Sequence, residues 1–214
     1  MSQLFASALH LNIRDVRALK ITDPYSLHRV IYSLFTDIRS SEAKQHTPSG
    51  LVYADQGGDA RGRKVLILSN RAPLTAIDGQ YGEVVTKTVD PSFWGHQHYQ
   101  FSVQVNPVRK DSQTGKRIAV IGREAISAWF CERAVSSWGF QANPHQLQVN
   151  KIEVQQFPYK NGAIITLNKA HIQGTLTVTN PIRFAQSFQQ GIGKGRAFGC
   201  GLLQIIPLLD NPFL

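Results

Sequence analysis

The stretch GTLTVTNPIRFAQSFQQGIGKGRAFGCGLLQI, from Gly174 to Ile205, predicts a strand, a short helix, a glycine-rich loop and a last strand. The β-branched residues of TLTVT favour the first strand. Asn180 followed by Pro181 is typical of a helix start, and the helix is expected to run to about Gln190. The loop segment GIGKGRAFGCGLL contains five glycines, two cations and no acid. Helices alternating with strand pairs in this way indicate an α+β fold.

The remaining sequence extends this pattern towards the N-terminus. Strands are predicted at LFASALHLN, GLVYADQ, RKVLILSN and YGEVVTKTV, a helix at TDPYSLHRVIYSLFTDI, and a short, weakly helical piece around residues 72–77. This is the ferredoxin-like order, which RNA-recognition domains share. The segment DPSFWGH, residues 90–96, is a plausible joint. We predict an α+β protein of two tandem ferredoxin-like (RRM-like) domains with antiparallel sheets, at residues 1–90 and 97–214.

The second predicted domain contains more hairpins than the first. Its strands are expected at YQFSVQVNPV, RIAVIG, QLQVNKIEVQQF, GAIITLN, HIQGTLTVT and CGLLQII, with a helix at REAISAWFCERAVSSWGF. Two of the connecting turns, RKDSQTGK and PYKNG, are basic. The hairpins are therefore candidates for contact with a polyanion.

The charge balance favours a polyanionic partner such as RNA, DNA or an anionic surface. Lys and Arg number 23 against 14 Asp and Glu, a formal charge of +9. No acid lies between Glu153 and Asp210, so the cations of that segment are not cancelled locally. No apolar run approaches the roughly 20 residues of a membrane span. No cationic region precedes the first apolar residues, and we expect a cytoplasmic protein without a membrane partner.

The glycine-rich loop allows two interpretations. Gly191 could be a left-handed helix cap, with the other glycines turning the chain into the last strand. Alternatively, the loop could direct backbone N–H groups at a phosphate, with Lys194 and Arg196 adding charge. Its spacing matches neither a Walker A loop nor a dinucleotide-binding fingerprint. A nucleic-acid backbone is therefore the phosphate ligand that remains.

The first long helix has a polar, aromatic flank. Its buried stripe is predicted to contain Leu27, Val30, Ile31, Leu34 and Ile38. His28 lies beside this stripe, with Tyr25 three residues before it and Tyr32 four residues after it. His28 is either a boundary residue satisfied by its neighbours or a group that transfers protons near neutral pH.

Both end segments resemble the CasE group of CRISPR RNA-processing endoribonucleases of type I-E systems, in the repeat-associated RNA-processing superfamily. The pattern G-[IL]-G-x-x-[KR]-A-F-G-x-G-L is matched by Gly191, Gly193, Arg196, Ala197, Phe198, Gly199, Gly201 and Leu202. DPYSLHRVIYSLF, from Asp23 to Phe35, resembles the family's first helix and its Tyr-x-x-His pair. The chain departs from the family at Lys194 and Gly195, where Pro-Ala is frequent.

The resemblance implies cleavage of CRISPR precursor RNA within its repeat. His28 would be the general acid or base for attack by the neighbouring 2′-OH, giving a 2′,3′-cyclic phosphate and a 5′-OH, and Tyr25 would orient the phosphate or assist proton movement. No metal or cofactor is expected. The repeat stem-loop, as pre-crRNA and crRNA, and other Cascade subunits are the implied partners. The residues predicted to bind RNA are Arg29, Lys116, Arg117, Lys151, Lys160, Gly191, Gly193, Lys194 and Arg196.

Two other classes of function remain open from the sequence. One is an RNA-binding subunit without cleavage, and the other is a basic scaffold that binds only protein. The spacing of His96 and His98 could hold a metal ion, but neither cysteine is nearby and acids are few. The acidic residues form no evident catalytic pair, which disfavours a two-metal nuclease.

Overall fold

The structure is a computed structural model that describes residues 3–36 and 49–208. Its first half is a four-stranded antiparallel sheet in the order β2-β3-β1-β4. The strands are β1 Phe5–Asn12, β2 Leu51–Asp59, β3 Gly62–Ser69 and β4 Glu83–Thr88. Since β1 and β3 are the central pair, this is the ferredoxin-like arrangement that the sequence predicts.

The second half repeats this arrangement. Its sheet has the order β11-β5-β10-β8, with β9 also paired to β10, and β6 and β7 form a separate hairpin. The strands are β5 His98–Val105, β6 Val108–Lys110, β7 Arg117–Ala119, β8 Phe140–Ala142, β9 Gln148–Pro158, β10 Ile164–Val178 and β11 Gln204–Pro207. The predicted fold class is therefore confirmed. The boundaries at residues 1–90 and 97–214 stay a prediction.

Within the described ranges 3–36 and 49–208, four α-helices accompany the two sheets. They are α1 Ile13–Ala18, α2 Pro24–Ser33, α3 Arg123–Arg133, which continues as a π-helical turn over Ala134–Trp138, and α4 Pro181–Gln190. Short 3₁₀ turns occur at Pro91–Trp94, Lys160–Gly162 and Arg196–Phe198. As predicted, Asn180 caps α4 through its side-chain oxygen, which accepts a hydrogen bond from the Arg183 amide at 3.0 Å.

Helix α2 begins where the capping residues place it. The Asp23 carboxylate accepts from the Ser26 amide at 2.7 Å, and the Ser26 hydroxyl oxygen accepts from the Asp23 amide at 3.0 Å. This reciprocal pair satisfies N–H groups that a helix start leaves without partners. The predicted stripe of Leu27, Val30, Ile31 and Leu34 is buried. The fifth predicted member, Ile38, lies outside the described residues.

Several local predictions were wrong. Residues 72–77 are not helical, because the Leu74 amide bonds to the Leu34 carbonyl at 2.9 Å and the chain then forms a bridge between Ile77 and Tyr81. The two strands predicted at GAIITLN and HIQGTLTVT are one strand, β10, since β9 pairs with it from Ile164 to Gln173 across a single bulge. The last strand begins at Gln204 rather than Cys200.

The two halves share a core. One face of the first sheet packs on α2, while the opposite face, with Val52 and Leu68, joins a cluster that includes Phe188, Ile192 and Leu203 of the second half. Burial of this apolar surface fixes the two halves against each other. As a result, α2 and β2 of the first half both contact the turn Arg196–Phe198 of the second.

Candidate functional site

Three rings on α2 form a compact cluster. The ring centroids of His28 and Tyr32 are 4.1 Å apart, and those of Tyr25 and His28 are 6.1 Å apart with nearly parallel planes. The spacing of three and four residues places these side chains on one face of the helix. The structure therefore brings together the flank that the sequence predicts. We call Tyr25, His28 and Tyr32 the ring cluster.

Two segments of the second half close over the ring cluster. The Phe198 ring lies 5.9 Å from the His28 ring, and the Tyr159 ring lies 4.9 Å from the Tyr25 ring. Tyr159 and Lys160 form the tip of the β9–β10 hairpin, where Asn161 adopts a positive φ of 58°. This hairpin tip brings a cation, Lys160, close enough to act electrostatically on His28.

The surroundings of His28 favour its neutral form. Burial lowers the pKa of His28 below its ordinary value of 6.5, and the positive charge of Lys160 lowers it further. The Ala197 backbone acts in the opposite direction and raises this pKa. The Nδ1 atom of His28 is buried and has no hydrogen-bond partner within residues 3–36 and 49–208. An imidazole in this setting can exchange a proton with a bound substrate.

A cleft opens beside the ring cluster. It has a volume of about 610 Å³ and lies between the Tyr32 side of the first half and the glycine-rich segment of the second. Tyr32, Ser49 and Asn70 line one wall, and Lys194 and Arg196 belong to the other. The Tyr32 hydroxyl donates to the Ser49 hydroxyl oxygen at 2.9 Å. The cleft thus has one tyrosine ring among polar groups on its first wall and two cations on its second.

The glycine loop, residues 191–201, requires glycine for reasons that the structure shows. Gly191 has φ 75° and ψ 158°, so it is not the left-handed cap that one interpretation predicted. A Cβ there would lie 2.7 Å from a methyl group of Val52. Glycine at this position therefore permits both the positive φ and the close approach of the two halves.

Part of the hydrogen-bonding capacity of the glycine loop is already used. The amides of Ile192, Phe198, Cys200 and Gly201 donate to backbone carbonyls, so these four do not serve a phosphate. Arg196 is half-buried, and one of its guanidinium nitrogens donates to the Gln190 carbonyl at 2.9 Å, at the end of α4. Lys194 is exposed. The charge that the loop presents is therefore one exposed ammonium and one guanidinium anchored to the fold.

A larger basic groove lies on the second half. Its volume is about 1160 Å³. The cations that line it are Arg109, Lys110, Arg117, Arg133, Arg183, Lys194 and Arg196, whereas Glu132 is the one acid among its lining residues. Trp129 and Trp138 contribute aromatic surface. Clustered cations with so little compensating acid are the electrostatic footprint of a phosphate-binding surface.

The structure distributes the residues predicted to bind RNA over several surfaces. Arg117, Gly191, Gly193, Lys194 and Arg196 line the basic groove. Lys116 is exposed at the turn before β7, and Arg29 is exposed on α2 beside the ring cluster. Lys151 and Lys160 lie nine residues apart on the hairpin, or roughly 30 Å at the rise of a strand. Lys160 at the tip lies close enough to act on His28, whereas Lys151 lies near the start of β9 and pairs with Glu153 at 2.6 Å.

Sequence reasoning missed several residues of these surfaces. Arg109 and Arg133 line the groove but come from outside the acid-free segment, so the local charge pattern did not select them. Arg183 lies inside that segment and could have been chosen by the same signal. Tyr53, a strand residue, reaches the glycine loop, and no sequence pattern indicates this contact.

His96 and His98, which the sequence offered as a possible metal site, contact other groups in the structure. His98 Nδ1 lies 3.1 Å from the Thr177 hydroxyl, and His96 packs against the Tyr99 ring. No group of three or more His, Cys, Asp or Glu side chains converges in the described part of the chain. Within the same residues, no helix has the length and apolar character needed to cross a membrane.

Comparison with known families decides the relationship of this chain. Residues 4–207 match the sequence profile of the family described as CRISPR associated protein. The chain belongs to this family. It is 26% identical over 201 residues to the CRISPR-associated endoribonuclease Cse3 of Thermus thermophilus, covering 87% of this chain and 92% of that protein. It is 23% identical over 196 residues to the CRISPR system Cascade subunit CasE of Escherichia coli, covering 87% and 93%.

The fold of this CRISPR-associated family member is also found in a solved structure. The Cse3 endoribonuclease bound to a 19-nucleotide RNA superimposes with a TM-score of 0.79 over 96% of this chain and 100% of that one, at 23% identity. A match of this extent includes both ferredoxin-like halves. The tandem arrangement is therefore a property of the family fold rather than of this sequence alone.

Proposed function

We propose that this chain is a CRISPR repeat endoribonuclease that cleaves precursor RNA within the repeat, without a metal ion, and remains on the crRNA as a cytoplasmic Cascade subunit. The observation that carries the proposal is the position of His28. It lies in an aromatic cluster with a lowered pKa, and the adjoining cleft has Lys194 and Arg196 on its other wall. The names of the Thermus and Escherichia relatives supply the RNA class and the complex.

The proposed reaction is attack of a ribose 2′-oxygen on the adjacent phosphorus. A new O2′–P bond forms as the P–O5′ bond breaks, the 2′-OH loses a proton, and the departing 5′-oxygen gains one. The products are a 2′,3′-cyclic phosphate and a 5′-OH. His28 takes one of these proton-transfer roles, because its unpartnered buried nitrogen and lowered pKa suit exchange near neutral pH.

Other groups of the site stabilise and position the phosphate. Tyr25 orients it or assists proton movement, since its ring stacks on His28 and is itself held by Tyr159. Lys160 at the hairpin tip offers a positive charge next to His28, where negative charge develops on the phosphate oxygens. Lys194 and Arg196 hold the neighbouring backbone from the opposite wall.

The basic groove is the proposed binding surface for the repeat stem-loop. A-form RNA hides its bases in a deep, narrow major groove, so contact with phosphates and shape dominates recognition. Lys116, Arg117 and the remaining groove cations bind along the stem, and Arg29, Lys151, Gly191 and Gly193 contribute contacts near its ends. Wide spacing of these cations suits a helical RNA better than a small ligand.

The test is cleavage of a labelled repeat hairpin by the wild type, by His28→Ala and by His145→Ala. His145 is an exposed histidine in a turn of the second half, and it controls for the loss of an imidazole. We expect His28→Ala to bind the hairpin and fail to cut it, His145→Ala to cut normally, and excess EDTA to leave cutting unchanged. A 2′-deoxy substitution at the cut should also stop the reaction.

Three results would contradict the proposal. Normal cutting by His28→Ala would remove His28 from the reaction. Hairpin binding without any cutting by the wild type would instead identify a non-catalytic RNA-binding subunit. Binding of protein partners without salt-sensitive RNA binding would indicate a scaffold, because phosphate contacts release counterions and weaken with salt.

A further inference from the structure

Tyr53 makes a hydrogen bond between the two halves of the molecule. It lies on β2 with none of its surface exposed, in the apolar cluster beneath α2. Its hydroxyl donates to the Ala197 carbonyl at 2.7 Å, although the two residues are 144 positions apart in the chain. A tyrosine this deeply buried directs its polar atom to one partner, and here that partner belongs to the glycine loop.

The turn that contains Ala197 rests directly on the Tyr53 ring. A Cβ at Gly199 would lie 3.3 Å from the Cε2 atom of Tyr53, closer than most Cβ contacts, and the positive φ of 81° at this position also favours glycine. On the other side, the Phe198 ring packs against Phe157 at 5.0 Å and against His28 at 5.9 Å. The turn Arg196–Phe198 is therefore clamped between a buried strand of the first half and the ring cluster.

The Ala197 backbone also influences His28. Its effect on the imidazole favours the protonated form and opposes the effects of burial and Lys160. The same residue thus accepts the Tyr53 hydrogen bond and modifies the proposed proton-transfer group. A shift of the turn by a fraction of an ångström would alter this balance and also move Arg196.

We propose that Tyr53 is a positioning residue whose hydroxyl holds the Ala197 carbonyl, and with it the turn Arg196–Phe198, in place beside His28. The inference rests on the proposed function, since it concerns the alignment of the same site. Tyr53 does not touch the cleft. It acts through Ala197, whereas Tyr32 lines the cleft itself.

Titratable groups approach His28 from two elements. Tyr25 and Tyr32 lie beside its ring on α2, and Lys160 acts on it from the hairpin tip, where Tyr159 packs against Tyr25. Burial raises the pKa of Tyr53 well above its ordinary value, with smaller contributions from Tyr32 and Asp55. Its hydroxyl consequently remains a donor across the pH range in which His28 titrates.

The test compares Tyr53→Phe with Tyr99→Phe. Tyr99 is an equally buried tyrosine of the second half, and its hydroxyl donates to the Phe93 carbonyl at 3.0 Å, away from the ring cluster. The measurement is the second-order rate constant of hairpin cleavage as a function of pH, with hairpin affinity and melting temperature recorded for each protein. Each variant loses one buried hydroxyl. Because the Tyr99 hydroxyl also accepts from the His96 amide at 2.9 Å, Tyr99→Phe is expected to lose at least as much stability as Tyr53→Phe.

We expect Tyr53→Phe to cleave about tenfold more slowly with nearly unchanged affinity for the hairpin. The pH inflection assigned to His28 should also move to lower pH, because a turn released from Tyr53 would hold the Ala197 backbone less closely against the protonated ring. Tyr99→Phe should keep the wild-type profile. Gly199→Ala, which displaces the turn while leaving the Tyr53 hydroxyl in place, should move the inflection in the same direction as Tyr53→Phe.

Identical pH profiles for Tyr53→Phe, Tyr99→Phe and the wild type would overturn the inference and leave Tyr53 a purely structural residue. If Tyr53→Phe does not fold, Gly199→Ala still tests whether the position of the turn sets the His28 inflection, and an unshifted inflection there would also overturn the inference. His28→Ala in the same assay separates the two proposals. Normal cutting by His28→Ala would refute the proposed function, whereas an inactive His28→Ala beside an unshifted Tyr53→Phe would refute only the role of Tyr53.

Discussion

The two halves of the molecule share a strand order but present opposite chemistry. The first half offers a half-buried imidazole among aromatic rings, and burial is the main cause of the lowered His28 pKa. The second half offers an open groove lined by seven cations and one acid. Proton transfer near neutral pH benefits from surroundings that favour the neutral imidazole, whereas binding of RNA phosphates requires exposed positive charge. Because the same fold occurs twice in the chain, a half-buried imidazole and an open cationic groove can lie side by side.

The glycine loop is where the two environments meet. It belongs to the second half by sequence, yet Val52 and Tyr53 of the first half fix its position. Lys194 and Arg196 line both the cleft and the basic groove. The loop therefore connects the basic groove with the cleft beside the ring cluster, and changes in it should affect both surfaces.

The largest effect on RNA affinity should come from the groove charges. Arg109, Lys110 and Arg117 are exposed on the β6–β7 hairpin, so their joint replacement by Ala should leave the fold intact. We expect hairpin RNA to bind roughly a hundredfold more weakly, and the salt dependence of binding to fall by about two units of slope. Fluorescence anisotropy over a range of salt concentrations measures both.

A matched charge change on the first half provides the control. Arg61, Lys64 and Lys87 are also exposed, but they lie outside the basic groove. Their joint replacement by Ala alters the net charge by the same amount. If it weakens binding as strongly as the groove variant does, long-range charge rather than the groove would govern affinity.

The next largest effect should come from the contact that joins the halves. Gly191→Ala would place a methyl group 2.7 Å from Val52 at a positive φ of 75°, and we expect it to lower the free energy of unfolding by about 2–3 kcal/mol. Gly193→Ala has a similar φ of 70° and open space around its Cβ, so about 1 kcal/mol is expected. Urea denaturation measures the free energy of unfolding of both variants. Equal decreases would show that the close approach of Gly191 to Val52 is unimportant.

The pH dependence of cleavage should show a smaller effect. This effect is the position of the inflection caused by His28, and it informs the mechanism. Because burial lowers the pKa of His28, the inflection in the second-order rate constant should lie below 6.5. The rate falls as pH decreases through this value if His28 is the base, and falls as pH increases through it if His28 is the acid. An inflection above 6.5 that His28→Ala abolishes would contradict the lowered pKa.

The sequence predicted those features that local patterns determine. The Asp23 cap and the i−3 and i+4 spacing of Tyr25 and Tyr32 about His28 follow from helix geometry, and the structure contains both. The six-residue helix α1 was missed because it has no buried residues and so no apolar stripe. β8 was missed because three residues give too short a pattern.

Contacts that depend on packing between distant parts of the chain could not be predicted from local sequence patterns. The hairpin tip approaches α2 only because β9 and β10 are long and their sheet packs against the first half. Nothing near Tyr53 in the chain indicates that its hydroxyl meets Ala197. Likewise, the basic groove gathers Arg109, Arg133 and Arg183 from separate elements, although their sequence neighbours differ in charge.

The central claim is that the second half binds RNA and the first half supplies proton transfer. The cleavage rate of fully bound RNA tests this claim most directly. At protein concentrations that saturate the hairpin, we expect the triple variant of Arg109, Lys110 and Arg117 to cleave at nearly the wild-type rate, since only its affinity is reduced. Saturated His28→Ala should cleave about a thousandfold more slowly. A slow triple variant at saturation, or a fast His28→Ala, would contradict the assignment of binding to one half and proton transfer to the other.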